Sequence, residues 1–222
     1  MTNIAKSVAM SAAKGVEESS QKSLEFWYEF ASPYSYLAAM RVNDIALAKG
    51  VCVSWKPFLL GPIFQQQGLD DSPFNIFKTK GAYMWRDVER VCLEMGLDFT
   101  KPDIFPQNGL SAARLALCDE VSPKMVEFTQ AVFSLQFGLG MDISDSANLN
   151  LILENLGLNS KVAFAQSQSV EVKQALRSQT EQAVEKHIFG APMFVTNDEE
   201  MFWGNDRIEQ AVAWARGSGH KG

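Results

Sequence analysis

Histidine and cysteine are scarce in this chain, which carries 2 His and 3 Cys among 222 residues. With only His187 and His220 available, the usual metal sites and Ser/His/Asp or Cys/His catalysis lose their supply of imidazole, and no metal site is expected. His220 falls in a Gly-rich tail, and His187 reads as a helix-end histidine facing the helix dipole. Cys52, Cys92 and Cys118 are odd in number and widely spaced, which suggests neither a disulfide framework nor a zinc pattern. All three read as buried small hydrophobes. No dense Lys/Arg cluster is present and the formal net charge is -6, so a nucleic-acid partner is not expected. No apolar run approaches the roughly 18 to 20 residues that span a bilayer, and the N-terminus lacks the apolar core of a secretory signal. A cytoplasmic protein is expected, with small molecules or copies of itself as partners.

The chain has 46% hydrophobic residues, enough to bury a core in one domain or in one domain with a large insert. Residues 1–23 are rich in Ser, Ala and Lys without apolar periodicity and read as a mobile extension. The stretch has no Arg and contains Glu17 and Glu18, unlike a transit peptide. The aromatic run Leu24 to Phe30 reads as a strand. Ser32-Pro33 then opens a helix over Tyr34–Lys49, and Gly50 ends it before a second strand, Val51–Trp55. This βαβ unit predicts parallel strands.

From residue 61 to 186 the pattern becomes helical, with segments over Tyr83–Met95, Ser111–Cys118, Pro123–Phe137, Ala147–Leu156 and Val170–Lys186. Met193-Phe194-Val195 and Met201-Phe202-Trp203 then flank a turn at Asn197-Asp198-Glu199 as a hairpin, and Asp206–Arg216 returns to helical period. The expected fold class is α/β: a thioredoxin-like fold over residues 24–60 and 187–217, with a large all-α insertion over 61–186 between the βαβ and ββα halves, and a flexible tail over 218–222.

Three segments carry chemistry. Ser32-Pro33-Tyr34-Ser35 occupies the strand-to-helix turn where thioredoxin-type oxidoreductases place redox cysteines, and it contains none. A hydroxyl and helix-terminal N–H groups suit an anion and would activate a thiol supplied by a cofactor, although Ser32 also reads as a plain N-cap with Pro33 at the first helical position. In Phe189-Gly190-Ala191-Pro192-Met193-Phe194, a proline stands directly before a core strand. A cis Ala191-Pro192 bond would turn the backbone N–H and C=O of Ala191 outward toward an extended peptide ligand, and an ordinary trans proline at a strand start is the alternative. In Phe202-Trp203-Gly204-Asn205-Asp206-Arg207, Asn205 reads as an N-cap. The functional alternative is a helix terminus that receives a carboxylate while Asp206 holds an ammonium group.

Taken in order, Phe-Ala-Ser-Pro-Tyr-Ser-Tyr-Leu, Phe-Gly-Ala-Pro and Phe-Trp-Gly-Asn-Asp-Arg resemble the 2-hydroxychromene-2-carboxylate isomerase family, related to kappa-class glutathione transferases and the DsbA-like thioredoxin branch. The similarity covers about residues 24–217. It implies glutathione as cofactor and Ser32 as the catalytic hydroxyl that holds its thiolate. It further implies that Ala191 and cis Pro192 pair with the tripeptide backbone, and that Trp203, Gly204, Asn205 and Asp206 surround the γ-glutamyl end. A homodimer and a small aromatic acid substrate, isomerised cis to trans without net redox, complete the implication.

For the substrate, the expected contacts are Phe74, Asn75 and Asn108, the last in the stretch Phe105-Pro106-Gln107-Asn108. The resemblance also implies a lysine near Ile63–Gln67, where this chain has glutamines, and Lys78, Lys80 or Arg86 would have to compensate. A kappa-like transferase and a non-catalytic glutathione or peptide binder stand as alternatives. A thiol-disulfide oxidoreductase is disfavoured, since no cysteine lies at the redox turn.

Overall fold

The computed structural model describes residues 22–217. The expected tail over 218–222, His220 and the expected extension up to residue 21 lie outside the described residues. Ser23, assigned to that extension from sequence, instead opens the first strand and pairs with Cys52.

Strand β1 (Ser23–Tyr28) lies between β2 (Cys52–Pro57), its parallel neighbour, and β3 (Met193–Thr196), which runs antiparallel to it. Strand β4 (Met201–Trp203) pairs antiparallel with β3, giving the four-stranded order β2-β1-β3-β4. The period of two along β1 decides how the sheet is buried. Leu24, Phe26 and Tyr28 point to one face and join the large core, while Trp27 points to the other and packs with Phe58, Met193 and Val195. Phe26 lies 5.3 Å from the stacked ring of Phe194 and 4.8 Å from the edge-on ring of Trp55. Burying side chains of this size stabilises the fold by about 1.5–3 kcal/mol each.

The helix expected over Tyr34–Lys49 is two helices, α1 (Pro33–Ala39) and α2 (Val42–Leu47). No glycine or proline marks the break. Arg41 leaves helical geometry at φ -133, and its guanidinium pairs with Glu209 on the C-terminal helix, against which α2 packs. The helical block continues as α3 (Leu60–Gln66), α4 (Pro73–Ile76), α5 (Lys78–Met95), α6 (Leu110–Ala116), α7 (Met125–Phe133), α8 (Ser146–Asn155), α9 (Ser160–Ser167) and α10 (Val170–Glu185). Helix α11 (Ile208–Ala215) closes the chain behind β4.

The stretch expected as one helix over Pro123–Phe137 is a 3-10 turn, then α7, then a π turn over Ser134–Gly138. Helices α3, α4 and α9 were not expected from sequence. The helical block does not close a separate core. Residues of β1, α1, α5, α6, α7 and α8 belong to one continuous apolar cluster, so the sheet and the block are packed as one body. Tyr28 shows the join: its hydroxyl meets the Thr129 hydroxyl of α7 at 3.0 Å, and burial drives its pKa up.

Two of the cysteines match the expectation and one does not. Cys92 on α5 and Cys118 just beyond α6 are buried, and burial pushes both thiols up to about 11. Cys52 is exposed, because it begins the edge strand β2 and faces away from the core. His187 follows α10 at φ 59, in the left-handed region that ends helices. Among the described residues no helix is long and apolar enough to cross a membrane, and no group of three or more His, Cys, Asp or Glu is placed to hold a metal ion.

Candidate active site

A cleft of about 1180 Å³ opens where the C-terminal end of β1 meets the turns before β3 and after β4, with the α3–α5 segment and the 105–110 loop as its far wall. Small-molecule sites commonly enclose about 300–1,000 Å³, so this cleft has room for more than one small ligand.

Ser32 lies on its floor, 8% exposed. Its backbone N–H donates to the carbonyl oxygen of Glu29 at 3.0 Å, which closes the turn from β1 into α1. Its hydroxyl oxygen accepts the Ser35 N–H at 3.1 Å, so the capping role is real, with Pro33 in the first helical position. The same hydroxyl donates to the carbonyl oxygen of Ala191 at 3.0 Å. Accepting from Ser35 polarises the hydroxyl and strengthens it as a donor. The Ala191-Pro192 bond is cis, as expected. The Ala191 carbonyl, however, does not simply face outward for a ligand, because the Ser32 hydroxyl already holds it.

At the other side of the floor, Trp203, Gly204, Asn205 and Asp206 line the cleft together, as their sequence neighbourhood suggested. Trp203 packs edge-on against Phe189 with centroids 5.1 Å apart. Gly204 has φ 109, and a Cβ there would fall 2.6 Å from an Asp206 carboxylate oxygen, so the turn needs glycine. Asn205 does not cap the last helix. Residues Asn205–Arg207 form a 3-10 turn, and α11 starts afterwards with no side-chain cap. The side chain of Asn205 is instead buried, and its Oδ1 has no hydrogen-bond partner. A buried acceptor of this kind is rare unless a ligand or water completes it. Asp206 is exposed and stands 3.6 Å from Arg207.

The substrate-side expectations divide. Phe74 and Asn108 line the cleft, but Asn75 is not among the lining residues. Its amide donates to Asp71 Oδ2 at 3.0 Å and to the carbonyl oxygen of Phe105 at 2.9 Å, tying α4 to the 105–110 loop. The Asn108 side chain accepts the Leu110 N–H at 3.0 Å at the start of α6. Phe105-Pro106 is a second cis bond, not anticipated from sequence. Gln65 and Gln67 of the glutamine stretch do line the cleft. Of the three candidate cations, only Lys80 lines it, with Nζ 5.6 Å from the centre of the Phe74 ring. Arg86 is engaged by Glu89 at 2.6 Å.

Two lining residues carry chemistry that sequence reasoning passed over. Tyr34 donates its hydroxyl to Asp87 at 3.0 Å, and burial, reinforced by that carboxylate, raises its pKa. From sequence Glu29 reads only as part of the strand run. Its Oε2 accepts the Ala31 N–H at 2.9 Å, and burial pushes its carboxyl up to about 8, the Ala31 hydrogen bond opposing the shift. The one sequence signal was an acid inside an aromatic run, directly before the Ser-Pro turn.

The chain is similar to the 2-hydroxychromene-2-carboxylate isomerase of Sphingobium xenophagum, 27% identical over 188 residues that cover 85% of this chain and 95% of that protein. It is also similar to glutathione S-transferase kappa 2 of Caenorhabditis elegans, 24% identical over 209 residues, 86% of this chain and 91% of that one. Among solved structures, a 2-hydroxychromene-2-carboxylate isomerase superposes with a TM-score of 0.78 at 23% identity, over 86% of this chain and 93% of its own. Residues 23–213 match the family model of the DSBA-like thioredoxin domain, and the chain belongs to that family.

Proposed function

We propose that this protein is a glutathione-dependent isomerase of a conjugated aromatic 2-oxo acid, of the kind in equilibrium with 2-hydroxychromene-2-carboxylate. The observation that carries the reading is the Ser32 hydroxyl on the floor of the cleft, held between the Ser35 N–H and the Ala191 carbonyl where a redox cysteine would otherwise stand. Glutathione suits the residues at this end. The orphan Oδ1 of Asn205 calls for an N–H donor, and the Asp206 carboxylate beside it suits an ammonium group. When bound, the tripeptide supplies a thiol whose ionised form adds to a carbon of the conjugated double bond and later departs, freeing that bond to rotate.

The protein's part is binding and charge. Ser32 turns its hydroxyl proton from Ala191 toward the sulfur and stabilises the anion. Ala191 and Pro192 hold the peptide backbone, while Trp203, Gly204, Asn205 and Asp206 enclose the γ-glutamyl end. Phe74 presents an aromatic wall, Asn108 a polar edge, and Lys80 the cation for the substrate carboxylate. A homodimer is part of this reading, favoured by the resemblance and tested by light scattering of the purified protein, and a cytoplasmic location is proposed with it.

The deciding experiment follows the ultraviolet spectrum of 2-hydroxychromene-2-carboxylate with the protein, with and without glutathione. Equilibration only in the presence of glutathione supports the reading, and its absence despite glutathione binding overturns the isomerase assignment. Because the cleft has room for a second ligand beside the tripeptide, a kappa-like transferase is the second reading. A stable glutathione adduct in the mass spectrum of the products would favour it.

A further inference from the structure

Glu29 lines the cleft near Ser32 in sequence, and the proposed reaction gives it no role. Glu29 directly follows β1, the strand that delivers Ser32, and its backbone carbonyl accepts the Ser32 N–H at 3.0 Å. Its side chain folds under the same turn, where Oε2 is tied to the Ala31 N–H at 2.9 Å. The second oxygen has a different setting. Oε1 lies beside Gly109, where a Cβ would come within 3.3 Å of it, and both residues line the cleft. A side chain at position 109 would crowd that oxygen, and glycine leaves it open. One carboxyl oxygen is thus anchored at the turn, and the other stands beside Gly109 on the cleft wall.

We infer that Glu29 is the proton donor of the site, its neutral carboxyl group hydrogen-bonding the ketone oxygen of the bound 2-oxo acid and handing it a proton while the double bond is open. The inference rests on the isomerase reading above. A bound thiolate would supply an electron pair to the far carbon of the substrate double bond, so that the π pair of that bond would form a new double bond nearer the ketone and the ketone π pair would move onto oxygen. That oxygen takes the Glu29 proton, leaving a carboxylate. After rotation about the bond that has become single, Glu29 takes the proton back, and the original double bond would re-form as the electron pair returned to the thiolate. No atom or electron is gained or lost.

Burial supplies the required protonation state, since a carboxyl held at about 8 is still protonated at neutral pH. The other titratable or charged groups lining the cleft are Tyr34 and Asp87, hydrogen-bonded to each other, Asp70 and Asp71 on the α3–α4 loop, Lys80, and the Asp206–Arg207 pair. Gly109 and Ala31, which flank the carboxyl, bring no charge.

Glu29→Gln keeps the shape and an acceptor for the Ala31 N–H while removing the exchangeable acid, so a purely structural role would survive it. The probe is 4-phenyl-2-oxobutanoate, which has the ketone and carboxylate but no double bond, titrated without glutathione. The wild-type dissociation constant is expected to rise about tenfold between pH 7 and pH 9 as one carboxyl ionises, and the Glu29→Gln constant to stay flat. Equal pH dependence in both proteins would overturn the inference. Infrared difference spectra should show a carboxylic acid band lost near pH 8 in the wild type and absent from the variant. A band that titrates in the ordinary carboxylate range would also overturn it.

Turnover with glutathione is expected to fall about a hundredfold or more in the variant with KM little changed. If the ultraviolet titration of the bound glutathione thiol shifts in the variant, Glu29 acts on the thiol and the inference is overturned. If wild type shows no turnover at all, the isomerase reading fails, while the probe titration and the infrared band still decide the role of Glu29.

Discussion

The hydroxyl of Ser32 donates to the carbonyl oxygen of Ala191 at 3.0 Å, across 159 positions of sequence. This bond joins the first strand-to-helix turn to the cis-proline turn before β3, and it places the Ser32 hydroxyl against the backbone that is proposed to pair with a peptide. The hydroxyl has a single proton. Without a ligand it goes to Ala191, and with a bound thiolate it is expected to go to sulfur.

Ser32→Ala removes that proton and also the N-cap of α1. The stability cost is expected to be about 1 kcal/mol, the usual worth of a serine cap, so the fold survives. Turnover of the chromene acid should fall by about a hundredfold, the scale on which one preorganised donor acts. Steady-state kinetics beside a urea titration separate the two effects. Unchanged turnover would remove Ser32 from the mechanism.

Asp206→Ala tests the γ-glutamyl end. Asp206 is exposed and its pairing with Arg207 is at the surface, so its loss should change stability by no more than about 0.5 kcal/mol. Glutathione affinity, measured by calorimetry, should weaken about tenfold or more, because a charge-assisted contact to the ammonium is lost. Equal affinity in both proteins would place that end of the tripeptide elsewhere.

The order of strands and the three motif segments were legible because each sits at a point where the chain changes period: an aromatic run ending at Ser-Pro, a proline before a core strand, a Gly-Asn-Asp after the last strand. What escaped was set by contacts between distant residues. The break between α1 and α2 has no local breaker and falls at Arg41, whose guanidinium meets Glu209 of α11. Helix α3 carries Gly61-Pro62 in its first turn, a pair that gives no helical signal, yet a proline there sacrifices no intrahelical bond. Asn75 reads as a polar site residue until Asp71 and Phe105 are seen to occupy its amide. The condition of Glu29 depends on burial, which no local pattern reports.

Lys80→Gln should raise KM for the aromatic acid by about tenfold while leaving glutathione affinity unchanged. Lys80 is at the rim and exposed, so the effect is modest and should shrink as salt is added. Kinetics at low and high ionic strength check it. A salt-independent KM equal to that of the wild type would mean that the carboxylate is held by other groups.

Glu29 also makes a prediction about stability, independent of any substrate. Its carboxyl is raised from an ordinary value of 4.5 to about 8 in the folded protein, chiefly by burial. Between those values the native state holds a proton that the unfolded chain has released, so stability falls as pH rises through this window. The full shift corresponds to about 5 kcal/mol at 1.36 kcal/mol per pH unit, and opening toward cleft water reduces it to about 2–3 kcal/mol. Urea midpoints of wild type and Glu29→Gln should therefore diverge from pH 5 to pH 9, the variant gaining relative to the wild type by that amount and the gap closing in acid. Parallel stability curves across the window would show that Glu29 ionises in the folded protein as it does in the open chain.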